Sequence, residues 1–156
     1  MTGFAITGLD PAPFLPLYGF DDADLAGLGM KRLPVDAAPG FPCRISLEDA
    51  VPGEQVLLLN YEHLSVASPY RQRHAIFVRV GATAAARFEN AVPKQLAIRT
   101  LSVRAYDAQG MMTDADLTEG HDLPALIDRF LADPEVAYLH AHNAKRGCFA
   151  ARIERA

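Results

Sequence analysis

Helical periodicity occurs once in this chain. Leu123, Leu126, Ile127, Phe130 and Leu131 recur at i, i+3, i+4, i+7 and i+8, an apolar stripe along one helix face. Asp122 stands at the N-cap position, Pro124 lies in the first turn, and Asp133-Pro134 ends the element. Elsewhere the pattern belongs to strands or is broken by proline. Seven of the eleven prolines lie at or before Pro52, and each fixes φ and removes a backbone donor. Long helices and central strands are therefore not expected in the first third. A short strand at Phe4–Thr7, one helical piece over Asp22–Leu28 and extended segments crossing the main sheet are expected there.

From Gln55 the strand signals are regular. Val56-Leu57-Leu58-Leu59 reads as a strand covered on both faces and continuing to His63, and Ala75-Ile76-Phe77-Val78 as a second. Ser65 to His74, with Ser68-Pro69-Tyr70, reads as the loop between them. In Ile98–Asp107, Leu101, Val103 and Ala105 alternate with Ser102, Arg104 and Tyr106, the pattern of a half-buried strand. Asp107-Ala108-Gln109-Gly110 suits a type I turn into a return strand from Met112 to Leu117. Val136–Asn143 and Cys148–Glu154 form a final hairpin. The expected class is α+β: a mainly antiparallel sheet, one principal amphipathic helix on one face, and an irregular proline-rich N-terminal third. No repeat or linker interrupts residues 1–156, which read as a single domain.

Composition narrows the partners. Fifteen Lys and Arg against nineteen Asp and Glu give a net charge of −4, without the basic footprint that nucleic-acid binding needs. No apolar run approaches the roughly 20 residues of a membrane span. The first basic residue is Lys31, so the N-terminus does not read as a secretory signal. Two cysteines 105 positions apart make no disulfide framework and suit a reducing cytoplasm.

The last hairpin carries the chemistry. With Asn143–Gly147 as a five-residue loop, His142 opposes Cys148, His140 opposes Ala150 and Tyr138 opposes Arg152. One face then holds Tyr138, His140, His142, Cys148 and Arg152, and the other holds Leu139, Ala141, Phe149, Ala151 and Ile153 as a core face. A bulge would shift this register and could move Cys148 across. Three readings of the polar face stand. His140, His142 and Cys148 could begin a metal site, zinc accepting mixed nitrogen and sulfur ligation, with Cys43, His63, His121 or water recruited as the fourth ligand. Cys148 could be a nucleophile whose proton a histidine takes. Or the face is solvated surface beside a half-buried cysteine.

Other residues carry weaker signals. Arg71, Arg73 and His74 follow Tyr70 and could hold a carboxylate or phosphate, although a solvated loop explains them as well. Arg44, next to Cys43, suits a substrate arginine or a structural ion pair. Asp114 and Asp116 fit the solubility of an edge strand. No nucleophile elbow, P-loop, dinucleotide fingerprint or helical two-histidine zinc motif is present.

Several stretches together resemble a known family. Phe41-Pro42-Cys43-Arg44-Ile45-Ser46-Leu47-Glu48-Asp49-Ala50, Gly53-Glu54, Leu58-Leu59-Asn60-Tyr61, Ser68-Pro69-Tyr70 and Ile76-Phe77-Val78 are similar to a family of uncharacterised bacterial proteins. That family is catalogued as domain of unknown function twelve-zero-three. Arg104-Ala105-Tyr106-Asp107, His140-Ala141-His142-Asn143-Ala144, Gly147-Cys148 and Arg152 resemble its later motifs. The resemblance covers nearly all of the chain beyond the first thirty residues. It implies a bacterial, soluble, free-standing domain, and it supplies no activity. It does make family positions of His140, His142 and Cys148, and of the polar residues Arg44, Tyr61, Tyr70 and Arg104.

Two functional classes follow. In the first, a cytoplasmic small-molecule-binding protein, with enzyme activity an open question, uses His140 and His142 as acid/base or ligand groups and Cys148 as a thiolate. Arg44, Tyr61, Tyr70, Arg104, Asn143 and Arg152 would line its ligand site, with zinc or no cofactor. In the second, a non-catalytic module docks a partner or its own copy as a homodimer through a sheet edge or the proline-rich third.

Overall fold

The computed structural model describes residues 3–156. Its strands are β1 (Phe4–Thr7), β2 (Lys31–Pro34), β3 (Gln55–Leu64), β4 (Gln72–Arg79), β5 (Arg87–Glu89), β6 (Thr100–Tyr106), β7 (Met112–Glu119), β8 (Tyr138–Asn143) and β9 (Phe149–Arg155). Helices α1 (Asp22–Gly27), α2 (Lys94–Ala97) and α3 (Leu123–Leu131) interrupt them. The class is α+β, with antiparallel pairing between neighbouring strands. A six-stranded sheet has the order β5-β1-β9-β8-β6-β7, and a three-stranded sheet the order β2-β3-β4. No helix among the described residues is long and apolar enough to cross a membrane.

The periodicity of α3 decides which face of the large sheet becomes core. Leu123, Leu126, Ile127, Phe130 and Leu131 are buried against Leu101, Val103 and Ala105 of β6, Leu139 and Ala141 of β8, and Ala151 and Ile153 of β9. The alternate residues of those strands face the other way, and the small sheet covers part of that face. Leu64 of β3 is buried with Tyr106 and Tyr138 of the large sheet. Farther along, Leu57, Leu59, Ile76 and Val78 pack with Phe14, Leu25, Cys43 and Ile45.

Three expectations change. The segment from Ser65 to His74 is not loop throughout, because β4 begins at Gln72 and carries His74 inside a strand. Part of the N-terminal third pairs as β2 on β3 and so belongs to the small sheet. The final hairpin has a different register: Leu139 opposes Ile153, His140 opposes Arg152, Ala141 opposes Ala151 and His142 opposes Phe149. Ala150 is the extra residue of a β-bulge. The Asn143 amide donates to the Cys148 carbonyl (2.9 Å), so the turn is one residue shorter than expected.

A short segment around Arg44 joins the two sheets. The Arg44 amide donates to Phe77 O of β4 (3.1 Å), and Leu9 N, just beyond β1, donates to Arg44 O (2.8 Å). Gly8 makes the approach feasible, because a Cβ there would lie 2.0 Å from the Ile45 carbonyl oxygen. The obstacle is backbone, which cannot rotate aside. Gly8→Ala should therefore cost about 1–3 kcal/mol by urea denaturation. Gly19→Ala, where a Cβ meets nothing within 4 Å, is the control. Equal midpoints for the two variants would show that the junction does not need the close approach.

Candidate functional site

Four of the five histidines in the chain meet where the two sheets face each other. His140 and His142 come from β8, His63 from β3 and His74 from β4. Strand alternation aims three of them. His140 and His142 lie on the face of β8 opposite Leu139 and Ala141, while His74 shares the inward face of β4 with Ile76 and Val78. His63 is aimed by a bulge: Glu62 opposes Arg73 and Leu64 opposes Gln72, leaving His63 as the extra residue. Bulges recur where a strand must redirect a side chain.

The contacts are close. His63 Nε2 lies 2.9 Å from His74 Nδ1, and His63 Nδ1 lies 3.4 Å from His140 Nδ1. Phe149 stacks on the His63 ring, centroids 5.0 Å apart and planes within 8°, with His74 stacked on the other partner distance of 4.9 Å. His142 Nδ1 lies 3.0 Å from Gly147 O. A carbonyl only accepts, so Nδ1 donates and the lone pair of His142 sits on Nε2. That Nε2 is buried and has no hydrogen-bond partner. One ring nitrogen from each of His63, His74 and His142 lies within 4.8 Å of the other two.

Burial keeps this cluster uncharged. His140 and His142 are 1% and 0% exposed. Desolvation, reinforced by neighbouring imidazoles and by Arg104 and Arg152, pushes His140 down to about 2. Desolvation and Arg104 push His142 down to about 3 against the Gly147 hydrogen bond. Burial, His74 and Arg104 bring His63 down to about 4, and burial lowers His74 as well. At neutral pH all four imidazoles are neutral, the form in which histidine binds a metal.

The expected site residues fall into two groups. Arg104 opposes His140 on β6 and donates from Nη1 to Gln72 Oε1 across the sheets (3.2 Å). Arg152 opposes His140 on β9, but its exposed guanidinium lies over the Tyr138 ring at 4.0 Å and pairs with Glu154. Cys148 does not oppose His142. It lies just before β9, its Sγ accepting from Arg44 Nη2 (3.2 Å) and facing Asn143 Nδ2 at 3.8 Å. Phe149, expected in the core, holds the position beside His142 because of the bulge at Ala150. Arg44 is buried, and it donates also to Phe149 O (2.8 Å) and Pro42 O (2.5 Å). Burial lowers its pKa, and no carboxylate pairs with it among the described residues. Tyr61 is half-buried, opposite His74 in the β3–β4 register and with its ring beside Phe14, and Tyr70 is exposed with its ring 6.4 Å from Tyr106. Cys43 and Cys148 are both free thiols.

His74 is the residue whose place the sequence reading missed. The signal was present: Gln72, His74, Ile76 and Val78 alternate with Arg73, Ala75, Phe77 and Arg79, which extends the second strand back by one turn of the pattern.

A family model described as "Protein of unknown function (DUF1203)" matches residues 40–155. The chain belongs to the DUF1203 family. The matched span includes all four clustered histidines together with Arg44, Arg104 and Cys148. No curated protein and no solved structure matches the chain.

Neutral burial of the histidines sets an acid limit on the metal-free fold. In the unfolded chain they protonate near 6.5, whereas His140 and His142 resist to about 2 and about 3. The unfolded state then binds more protons, so their contribution is complete above pH 6.5 and is lost as the pH falls toward those values. Each of these two should cost about 1.4 kcal/mol per pH unit within that window. Urea midpoints of metal-free protein at pH 7.5 and 5.5 measure this, and equal midpoints would contradict neutral burial.

Proposed function

We propose that this protein binds a divalent transition metal of the zinc class through His63, His74 and His142, leaving a fourth position for water or a small ligand. One observation carries the reading: His142 Nε2 is fully buried, holds a lone pair and has no partner, in a ring that brings a nitrogen within 4.8 Å of nitrogens of His63 and His74. An unsatisfied buried acceptor costs about 1–3 kcal/mol, and a cation at that point removes the cost. Zinc takes imidazole nitrogens at about 2.0–2.1 Å, which puts tetrahedral neighbours about 3.3 Å apart. The 2.9 Å between His63 Nε2 and His74 Nδ1 is close to that spacing already.

The surrounding hydrogen bonds support the same assignment. Gly147 O fixes the His142 tautomer. His140 Nδ1, beside His63 Nδ1, can accept from it and leave the His63 Nε2 lone pair for the metal. Metal-binding histidines ordinarily carry such an outer partner. No fourth cysteine, histidine or carboxylate joins the trio among the described residues. Three protein ligands with one open position are the pattern of zinc sites that act on water or a bound molecule, whereas structural zinc sites close all four. This reading gives the small-molecule site its centre and leaves His140 as an orienting group. The two free thiols fit a cytoplasmic protein.

Elemental analysis after dialysis against zinc tests the proposal. Wild type should retain one equivalent, His142→Ala should lose it, and His121→Ala, whose histidine lies outside the cluster, should keep it. A metal-free wild type under these conditions would end the proposal. His140→Phe should weaken zinc about 10–100-fold without abolishing it, read by competition with a chromogenic chelator. Unchanged affinity would remove His140 from the outer shell.

A further inference from the structure

Arg104 has no acidic partner, and its position calls for one. On β6 it opposes His140, with Ser102 opposite His142 and Tyr106 opposite Tyr138, so all three side chains share the histidine face. Its guanidinium spans the gap between the sheets to reach Gln72, two residues before His74 on the same face of β4. Among the described residues the ion pairs of Arg71, Arg73, Arg99, Arg129 and Arg152 are all satisfied by nearby carboxylates, whereas Arg104 forms none. A second group stands beside it on this face. The Tyr106 hydroxyl is buried next to the Arg104 guanidinium and gives its own proton to no acceptor among the described residues, and the Tyr106 ring, itself 0% exposed, lies 5.4 Å from the His140 ring.

We infer that the open position of the histidine centre takes a small oxyanion, a carboxylate or a phosphate, held by the Arg104 guanidinium and the Tyr106 hydroxyl. The inference rests on the metal reading above. Its logic is charge balance. Three neutral imidazoles leave the full double charge of the metal, and Arg104 adds a third positive charge in a partly dry layer. Among the described residues no carboxylate enters the trio to offset them. An oxyanion offers Arg104 the counter-charge that Gln72 does not supply and gives the Tyr106 hydroxyl an acceptor, and guanidinium matches carboxylate and phosphate alike in a two-pronged geometry.

Cobalt(II) in place of zinc gives a visible spectrum that reports its ligands. The cobalt-loaded protein would be titrated separately with inorganic phosphate and with acetate, in wild type, Arg104→Gln and the exposed control Arg87→Gln. A saturable spectral change in wild type and Arg87→Gln, about tenfold weaker or more in Arg104→Gln at equal cobalt loading, is expected. The anion that binds more tightly identifies the ligand class. Should Arg104→Gln not load cobalt, Arg104→Lys replaces it, keeping the charge but not the fork, with weakening again expected. Cobalt binding with no anion response, or equal anion affinity with and without Arg104, would overturn the inference and leave the metal centre standing. Failure of wild type to bind cobalt would remove both.

Discussion

The layer between the two sheets is polar where a core is normally apolar, and the architecture depends on how that layer is satisfied. At one end of the small sheet Leu57, Leu59, Ile76 and Val78 pack against Phe14, Leu25, Cys43 and Ile45 of the N-terminal third in an ordinary hydrophobic cluster. At the other, four imidazoles, two tyrosines and Arg44 are enclosed. Burying such groups is costly unless each finds a partner. Arg44 meets the demand by donating to two carbonyls and a thiol from two separate stretches of chain, tying the loop at Pro42 to the start of β9. It works as a strut between sheets, because its partners are backbone oxygens and a sulfur that only this fold brings together. The histidines meet the demand differently: they give up their charge, and most of their nitrogens pair with one another or with Gly147 O.

His142 Nε2 is the imidazole nitrogen of this cluster that is fully buried and without a partner among the described residues, and the cluster draws its rings from both sheets. The same geometry admits a second description, in which His74, His63 and His140 form a chain of hydrogen bonds with no metal. That chain accounts for the 2.9 Å and 3.4 Å contacts but not for His142, which takes no part in it. A metal accounts for all three nitrogens at once. It would also act mechanically, since His63 and His74 belong to the small sheet and His142 to the large one. Loading would then cross-link the sheets and raise thermal stability in proportion to the logarithm of metal concentration over Kd.

Much of the large sheet was legible because one face of each strand packs on α3. The apolar alternation in β6 and the stripe in α3 name each other as partners, and both were read correctly from the sequence. The small sheet was harder to see. In β4 the inward face passes from Gln72 and His74 to Ile76 and Val78, so hydrophobicity alone begins the strand too late, whereas β3 was read to His63, one residue short of its end. His74 was lost to a loop for that reason. His140 and His142 were visible as a co-facial pair because period two is independent of register. Cys148 and Phe149 were not, because one bulged residue exchanges the faces on either side of it. The shorter turn and the bulge go with a tertiary contact: Arg44 binds both Cys148 Sγ and Phe149 O from a segment more than 100 residues away.

That long-range contact explains why the centre is assembled as it is. The bulge puts Phe149 flat against His63 and within 6.0 Å of His142, so an aromatic wall braces two of the three rings proposed as ligands. A cysteine in that position would have competed for the metal as a fourth, closing ligand. Instead its thiol is turned toward Arg44 and Asn143. The sequence therefore carries a sulfur close to the centre in the chain but outside it in space. With a ring in place of the thiol, a metal held by these histidines would have only nitrogen ligands from the chain and one open position. Such a set of neutral ligands, next to an arginine without a carboxylate, would leave its charge for an external anion to balance.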